Sequence, residues 1–378
     1  MLKPYDKEFD DIRPFYDEEI PEAMKRIIKA DAFPLIASWV FPDKEIKEVK
    51  QMLMSFKEIE QFQTEVMIPV NEQVIKRSID KFSFHGLAQL DPAKRYLFVS
   101  NHRDIMLDAC LLNYILLSNG HHTTQITFGA NLMYPGVVTD IGKSNKMFRV
   151  ERGGKLRDFY LSSMVMSKYI RTTITERKES VWIAQRNGRT KDGIDRTEPA
   201  LINMFSLSEK YDKILSLSEL HIVPVSISYE WEPCDVLKAI ELYESRHERY
   251  VKKPGEDLNS ILTGVLQHKG KVNFTFCPEI SEAELRKFEN YTKKDYYREV
   301  ASLIDRRINS AYALSPNNYI AHDIRYGQRK YSKYYTQQQY DSFVEHAKKL
   351  NEYDVDEPAV LMDIFLGIYS NPINSKQQ

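Results

Sequence analysis

The sequence predicts an α/β fold, a sheet with helices on its faces, extended by helical segments at both ends. Three observations carry this. Five short apolar runs, at 94–101, 125–130, 179–185, 221–230 and 271–277, have the length and residue types of buried strands. Segments with helical periodicity stand between them, and such alternation builds a sheet flanked by helices. Residues 1–84 and 291–378 carry helical spacing instead. The chain therefore divides into an N-terminal helical region (1–84), a central domain (85–290) and a C-terminal helical extension (291–378).

Taken in order, PEAMKRIIKADAFPLIASWVF and KEIKEVKQMLMSFKEIEQFQTEVM place apolar residues three and four apart, with Pro34 and Pro42 as breaks. The texture changes near residue 85. KRYLFVSN (94–101) is a buried-type strand ending in Asn, and a helix-like run follows from Ile105. QITFGA (125–130) is the next strand, then a helix over 157–176, the strand ESVWIAQ (179–185), a helix near 198–214 and the strand HIVPVSISYE (221–230). Helices near 234–250 and 257–268 precede the strand KVNFTFC (271–277). Ser281 and Glu284 have capping-box spacing, and 295–314 returns to helical periodicity.

Composition narrows the function. With 42% hydrophobic and 28% charged residues the chain can build cores rather than remain disordered. A net charge of −1 argues against a general nucleic-acid binder. Cys110, Cys234 and Cys277 are scattered and lack metal-ligand spacing, so free thiols in a reducing, cytoplasmic setting are expected. The N-terminus is polar and acidic, unlike a secretory signal. No run of 18 apolar residues occurs. IMLDACLLNYILL (105–117), the most apolar stretch, is interrupted by Asp108 and Asn113, so contact with a membrane is expected to be peripheral. Neither a metal-binding Cys/His set nor a Gly-rich phosphate loop is present, and no bound cofactor is expected.

The richest segment is FVSNHRDIMLDACLL. A strand runs into a turn holding Asn101, His102, Arg103 and Asp104, and a helix begins. Ligands of open α/β sheets sit at the carboxyl ends of strands, which puts His102 at a site position. Asp108 is the one charged residue between Ile105 and Leu117, and a carboxylate there needs a partner: His102 or Arg103. An Asp that orients a His makes it a general base. Asp104 has two readings, as N-cap of the helix or as the support of His102. His-Arg-Asp also occurs in protein-kinase loops, but Ala109 stands where those loops have Asn, and no Asp-Phe-Gly follows.

NHRDIMLD (101–108) resembles the first block of the glycerolipid acyltransferases, closest to the glycerol-3-phosphate and dihydroxyacetone-phosphate acyltransferase branch. NKMFRVERGG (145–154), VWIAQRNGRTKDG (181–193) and HIVPVSISYE (221–230) resemble the three later blocks, in order, and RRINSAYALSPNNYIAHDI (306–324) resembles the segment beyond the core of that branch. Three departures stand out. Five residues rather than four separate His102 from Asp108, Arg186 and Asn187 occupy the Glu-Gly positions of the third block, and Glu151 replaces a first arginine in the second.

The resemblance implies a twisted mixed β-sheet flanked by helices, and acyl transfer to a hydroxyl of glycerol-3-phosphate or a related phosphorylated acceptor. The donor would be acyl-CoA or acyl-carrier protein, and the place of work the cytoplasmic face of the membrane. His102 is the implied base, with Asp108 or Asp104 supporting it. Arg152 matches the arginine that helps hold the acceptor phosphate. Gly188, Arg189 and Thr190 match the end of the third block, and Pro224 matches the acyl-binding strand. Arg189, Lys191 and Arg103 add positive charge toward a phosphate, and Gly188 would let the backbone approach it. Acylation of a 1-acylglycerol-3-phosphate or an aminolipid is the alternative reaction, and a lipid-binding protein with a decayed site the alternative without chemistry.

Overall fold

The computed structural model describes residues 7–151, 156–209, 212–248 and 250–377. Five helices open the chain: α1 (Ile20–Ile27), α2 (Phe33–Val40), α3 (Ile46–Met54), α4 (Ile59–Phe62) and α5 (Ile68–Ser78). Pro34 sits in the first turn of α2 and Pro42 follows its end, so the two prolines bound one helix. The sheet strands are β1 (Ile79–His85), β2 (Leu97–Ser100), β3 (Thr124–Gly129), β4 (Met147–Val150), β5 (Ser180–Ala184), β6 (Ile222–Tyr229) and β7 (Gly270–Phe276). Between them lie α6 (Leu107–Ser118), α7 (Val137–Ser144), α8 (Leu156–Thr175), α9 (Pro199–Phe205), α10 (Leu215–Ser218), α11 (Asp235–Glu244) and α12 (Glu256–Leu266). After β7 come α13 (Glu282–Arg286), α14 (Lys293–Ala311), α15 (Pro316–Arg325), α16 (Gln337–Ala347) and α17 (Pro358–Lys376).

The seven strands form one mixed sheet in the order β1-β7-β6-β2-β5-β3-β4. β6, β2, β5, β3 and β4 run parallel, while β7 is antiparallel to β6 and parallel to β1. All five strands read from apolar runs are present. β1 and β4 are additional. β1 and β4 are the two edge strands, and neither carries the uninterrupted apolar run of a central strand. The first strand of the sheet thus spans the 84/85 division drawn from sequence texture.

Alternate residues of the central strands enter two cores. Leu97, Val99, Val181, Ile183 and Ile222 pack with α8, α9 and α14, whereas Phe98, Trp182, Val223 and Val225 pack with α6 and the end of α5. The C-terminal helices are part of this structure: α14 covers β6, and α17 packs on α11, α14 and α15. Because β2 lies between β5 and β6, three adjacent parallel strands deliver their following loops to one edge of the sheet.

Candidate active site

β2 is fully buried, and its carboxyl end is closed by a side chain. The Asn101 carboxamide accepts from Ile227 N and donates to Ile227 O, both at 2.8 Å, continuing the ladder to β6 where the main chain turns away. Its Nδ2 also donates to Asp195 at 2.9 Å. His102 follows, 7% exposed, with its ring edge-on to Trp182 at 5.6 Å between centroids.

His102 Nδ1 lies 2.9 Å from Asp108 Oδ2. The same oxygen accepts from the backbone N–H of Arg103 at 2.6 Å and of Asp104 at 2.9 Å, and Asp108 Oδ1 accepts from the Tyr229 hydroxyl at 2.8 Å. Every partner donates to this carboxylate, so Nδ1 carries the ring proton and Nε2 is the basic nitrogen, a tautomer assigned from the network. Burial and the adjacent Asp108 charge push the Tyr229 hydroxyl well above its ordinary pKa and keep it a donor. Asp108 lies in the first turn of α6, where the helix dipole favours a negative charge.

Asp104 stands two residues before Met106, the N-cap of α6, and holds the turn that leads into the helix. Its Oδ1 accepts from Met106 N at 2.9 Å and Leu107 N at 2.8 Å, and His102 is held by Asp108 instead. Burial first, then the Asp108 charge, raises the Asp104 carboxyl above its usual range. Arg103, expected on the substrate, is only 1% exposed and turns inward. Its guanidinium pairs with Asp195 at 2.5 Å and Glu232 at 3.4 Å, and lies 5.1 Å above the Tyr312 ring. Lys238 pairs with Glu232 at 2.5 Å and donates to Arg103 O at 2.7 Å. Two buried cations thus meet two buried anions around the turn, which such charges require.

The loop after β5 is tied to the same turn. Thr190 N donates to His102 O at 2.7 Å, and Thr190 Oγ1 donates to Asp195 at 2.7 Å. The first of these two bonds is main chain to main chain, so it does not depend on the side chain at either residue. Gly188 adopts φ +78° with nothing within 4 Å of where a Cβ would stand, so the position calls for a left-handed backbone rather than for a close approach. Lys191 is ion-paired to Glu241 on α11, and burial lowers its pKa, so its charge is already matched. Arg189 differs. It is 8% exposed, forms no ion pair among the described residues, and its Nη1 is buried without a hydrogen-bond partner. A guanidinium left in that state is costly unless an anion arrives.

Pro224 is buried inside β6 opposite Val99, and its carbonyl accepts from Cys277 N at 2.9 Å, so it belongs to the core of the sheet. Arg152 lies outside the described residues. Arg186 and Asn187 line an apolar cleft of about 360 Å³ at the carboxyl ends of β3, β4 and β5, together with Phe128, Ile183, Met166 and Met204. Among the described residues no group of three His, Cys, Asp or Glu side chains could hold a metal ion. No described helix is long and apolar enough to cross a membrane.

Asn101, Asp195, Tyr229, Glu232 and Lys238 were not legible as site residues. Asp195 and Glu232 meet Arg103 across 92 and 129 positions, and no local pattern announces contacts of that range.

A family model described as Acyltransferase matches residues 81–228, the stretch that contains His102, Asp108 and Arg189. No curated protein matches the chain. Among solved structures, the 1-acyl-sn-glycerophosphate (LPA) acyltransferase PlsC from Thermotoga maritima is similar at 14% identity over 74% of this chain and 94% of that one, with a TM-score of 0.33, a likeness that by itself carries no functional conclusion. Residues 81–228 of this chain are thus similar to the acyltransferase family.

Proposed function

We propose that the protein transfers a fatty acyl group from a thioester, acyl-CoA or acyl-carrier protein, to a hydroxyl of glycerol-3-phosphate or a closely related phosphorylated acceptor. The observation that carries this reading is the pairing of an oriented base with a buried cation that makes no ion pair among the described residues. His102 is held through Nδ1 by Asp108, and the loop bonded to His102 O presents Arg189 without an ion-pair partner among the described residues.

In this reading His102 Nε2 takes the proton of the acceptor hydroxyl as its oxygen attacks the thioester carbonyl. The C–O bond forms, the C–S bond breaks, and the proton passes from the imidazolium to the departing thiolate. Asp108 stabilises the imidazolium, and no covalent acyl-enzyme is needed. Arg189 receives the acceptor phosphate. The 360 Å³ apolar cleft beside β5 has the chemistry to receive an acyl chain. Work at a membrane surface follows from the lipid product.

The test is to offer labelled glycerol-3-phosphate, dihydroxyacetone phosphate, a 1-acylglycerol-3-phosphate and an acylated amino acid in turn, each with acyl-CoA and with acyl-carrier protein. Turnover on a phosphorylated acceptor, abolished by His102→Ala in a folded variant, is the expected result. Turnover on the acylated amino acid alone would move the activity to aminolipid synthesis. No turnover on any pair, or an alanine variant as active as wild type, would leave a lipid-binding protein without chemistry.

A further inference from the structure

α12 has its faces reversed relative to an ordinary surface helix. Its buried positions are Asp257, Ser260 and Gly264. Leu258, Leu262 and Leu266, spaced by four, are 46, 52 and 62% exposed. No charged residue occurs from Leu258 to Leu266. The inward face is small for a visible reason: a Cβ on Gly264 would stand 2.0 Å from Asp104 Oδ2, so the helix backbone lies directly on the turn that carries His102. The outward face has no such constraint, yet it is the apolar one.

α12 packs against α5, and α5 also packs against α2. α2 repeats the pattern: Leu35 and Ile36 are 77 and 40% exposed, and no charge occurs from Ala32 to Pro42. On α5, which both helices flank, Lys76 and Arg77 are exposed and form no ion pair among the described residues, Arg77 lying 4.9 Å over the Trp39 ring. Val251, 80% exposed, precedes α12 with Lys252 and Lys253 beside it. The carboxylates near these cations are Asp257, paired with Lys252, Asp80, paired with His268 at 3.2 Å, Glu256, bonded to the Tyr250 hydroxyl, and the exposed Glu72.

We propose that α12 and α2, which both pack on α5, form the surface by which the protein docks on an anionic lipid bilayer. The leucines enter the acyl-chain boundary while Lys76, Arg77 and Lys253 meet the headgroup phosphates. This rests on the acyl-transfer reading only in that a lipid acceptor resides in a bilayer. Protein interfaces are depleted in Lys, whereas this surface combines aliphatic side chains with Lys76 and Lys253 beside Arg77. Docking through α12 also sets the His102 turn against the lipid, because the other side of the helix already touches Asp104.

The experiment is flotation of the full chain with vesicles of equal parts phosphatidylcholine and phosphatidylglycerol. Wild type is expected to float and to be released by high salt. Leu258→Gln/Leu262→Gln/Leu266→Gln, with unchanged circular dichroism, is expected to lose at least tenfold of its bound fraction, and Lys76→Glu/Arg77→Glu to bind more weakly in low salt. Wild type that stays in the soluble fraction, or leucine and charge variants that both float like wild type, would overturn the proposal. So would a wild-type dimer, seen by light scattering, that the leucine variant splits, because the surface would then join two copies. His102→Ala is expected to float normally. A protein that floats but acylates no acceptor would remove the catalytic reading and leave this surface standing.

Discussion

Asp108 reaches the His102 ring across five intervening residues because the helix starts late. Asp104 binds the Met106 and Leu107 amides of the turn before it, and α6 begins only at Leu107, so its second residue faces back over the turn. Replacing Asp108 by Asn keeps the shape and removes the charge that favours the imidazolium. We expect kcat to fall about 10²–10⁴-fold with an unaltered circular dichroism spectrum, and an unchanged kcat would exclude Asp108 from the chemistry. Arg189 is set apart because no carboxylate pairs with it among the described residues and its Nη1 is left unbonded. Arg189→Met is expected to raise KM for a phosphorylated acceptor about 10- to 100-fold, the worth of a hydrogen bond between charged groups. Because Arg189 Nη1 is buried without a hydrogen-bond partner and only the buried Asp104 carboxyl offsets the charge, without an ion-pair contact, the same variant is expected to unfold at about the same or a higher temperature. A lower Tm with unchanged KM would assign Arg189 to structure alone.

At the scale of elements, the site is a turn clamped from three sides. The β5 loop bonds to His102 O through Thr190 N, β6 supplies Tyr229 and Ile227, and α12 presses Gly264 onto Asp104. Helix propensity alone would favour Ala over Gly at position 264 by about 1 kcal/mol. The Asp104 contact reverses the expectation, since a Cβ has no room unless α12 moves. Gly264→Ala is therefore expected to destabilise the protein by about 1–3 kcal/mol in urea unfolding and to lower turnover as the turn shifts. A gain in stability would mean that α12 sits farther from the turn than its contact with Asp104 implies.

At the scale of the molecule, the C-terminal helices complete the site from behind. Tyr369 on α17 accepts from Glu232 N at 3.1 Å and donates to Asp235 at 2.6 Å, and Asn371 donates to Asp192 O at 2.8 Å in the loop that carries Arg189. Between α12 and β7, Lys269 is fully buried and donates to Ser78 Oγ, Val265 O and Gln267 O. Burial pulls its ammonium down to about 8. The folded state then binds fewer protons than the unfolded chain between about pH 8 and the ordinary lysine value near 10.4, so stability rises with pH across that window. Below it the burial cost is fully present, roughly 3 kcal/mol. The urea midpoint of wild type relative to Lys269→Met is expected to rise from about pH 7.5 to about pH 9.5, and a constant difference would show that the three acceptors hold the ammonium at its ordinary pKa.

Sequence alone determined the α/β class, the five inner strands and the place of His102, because buried strands leave uninterrupted apolar runs and the turn after one of them is local in the chain. It also showed that Asp108, alone on an apolar helix, needed a partner. It did not show β1 or β4, whose positions at the two edges of the sheet erase the apolar run. Nor did it show that Arg103 and Lys191 are ion-paired while Arg189, among the described residues, is not. Whether a cation is free depends on carboxylates far away in the chain, Asp195 and Glu232 for Arg103 and Glu241 for Lys191. The exposed leucines of α12 belong to the same class of fact. Helical periodicity marks which residues share a face, and only the packing of Gly264 on Asp104 decides which face is turned inward.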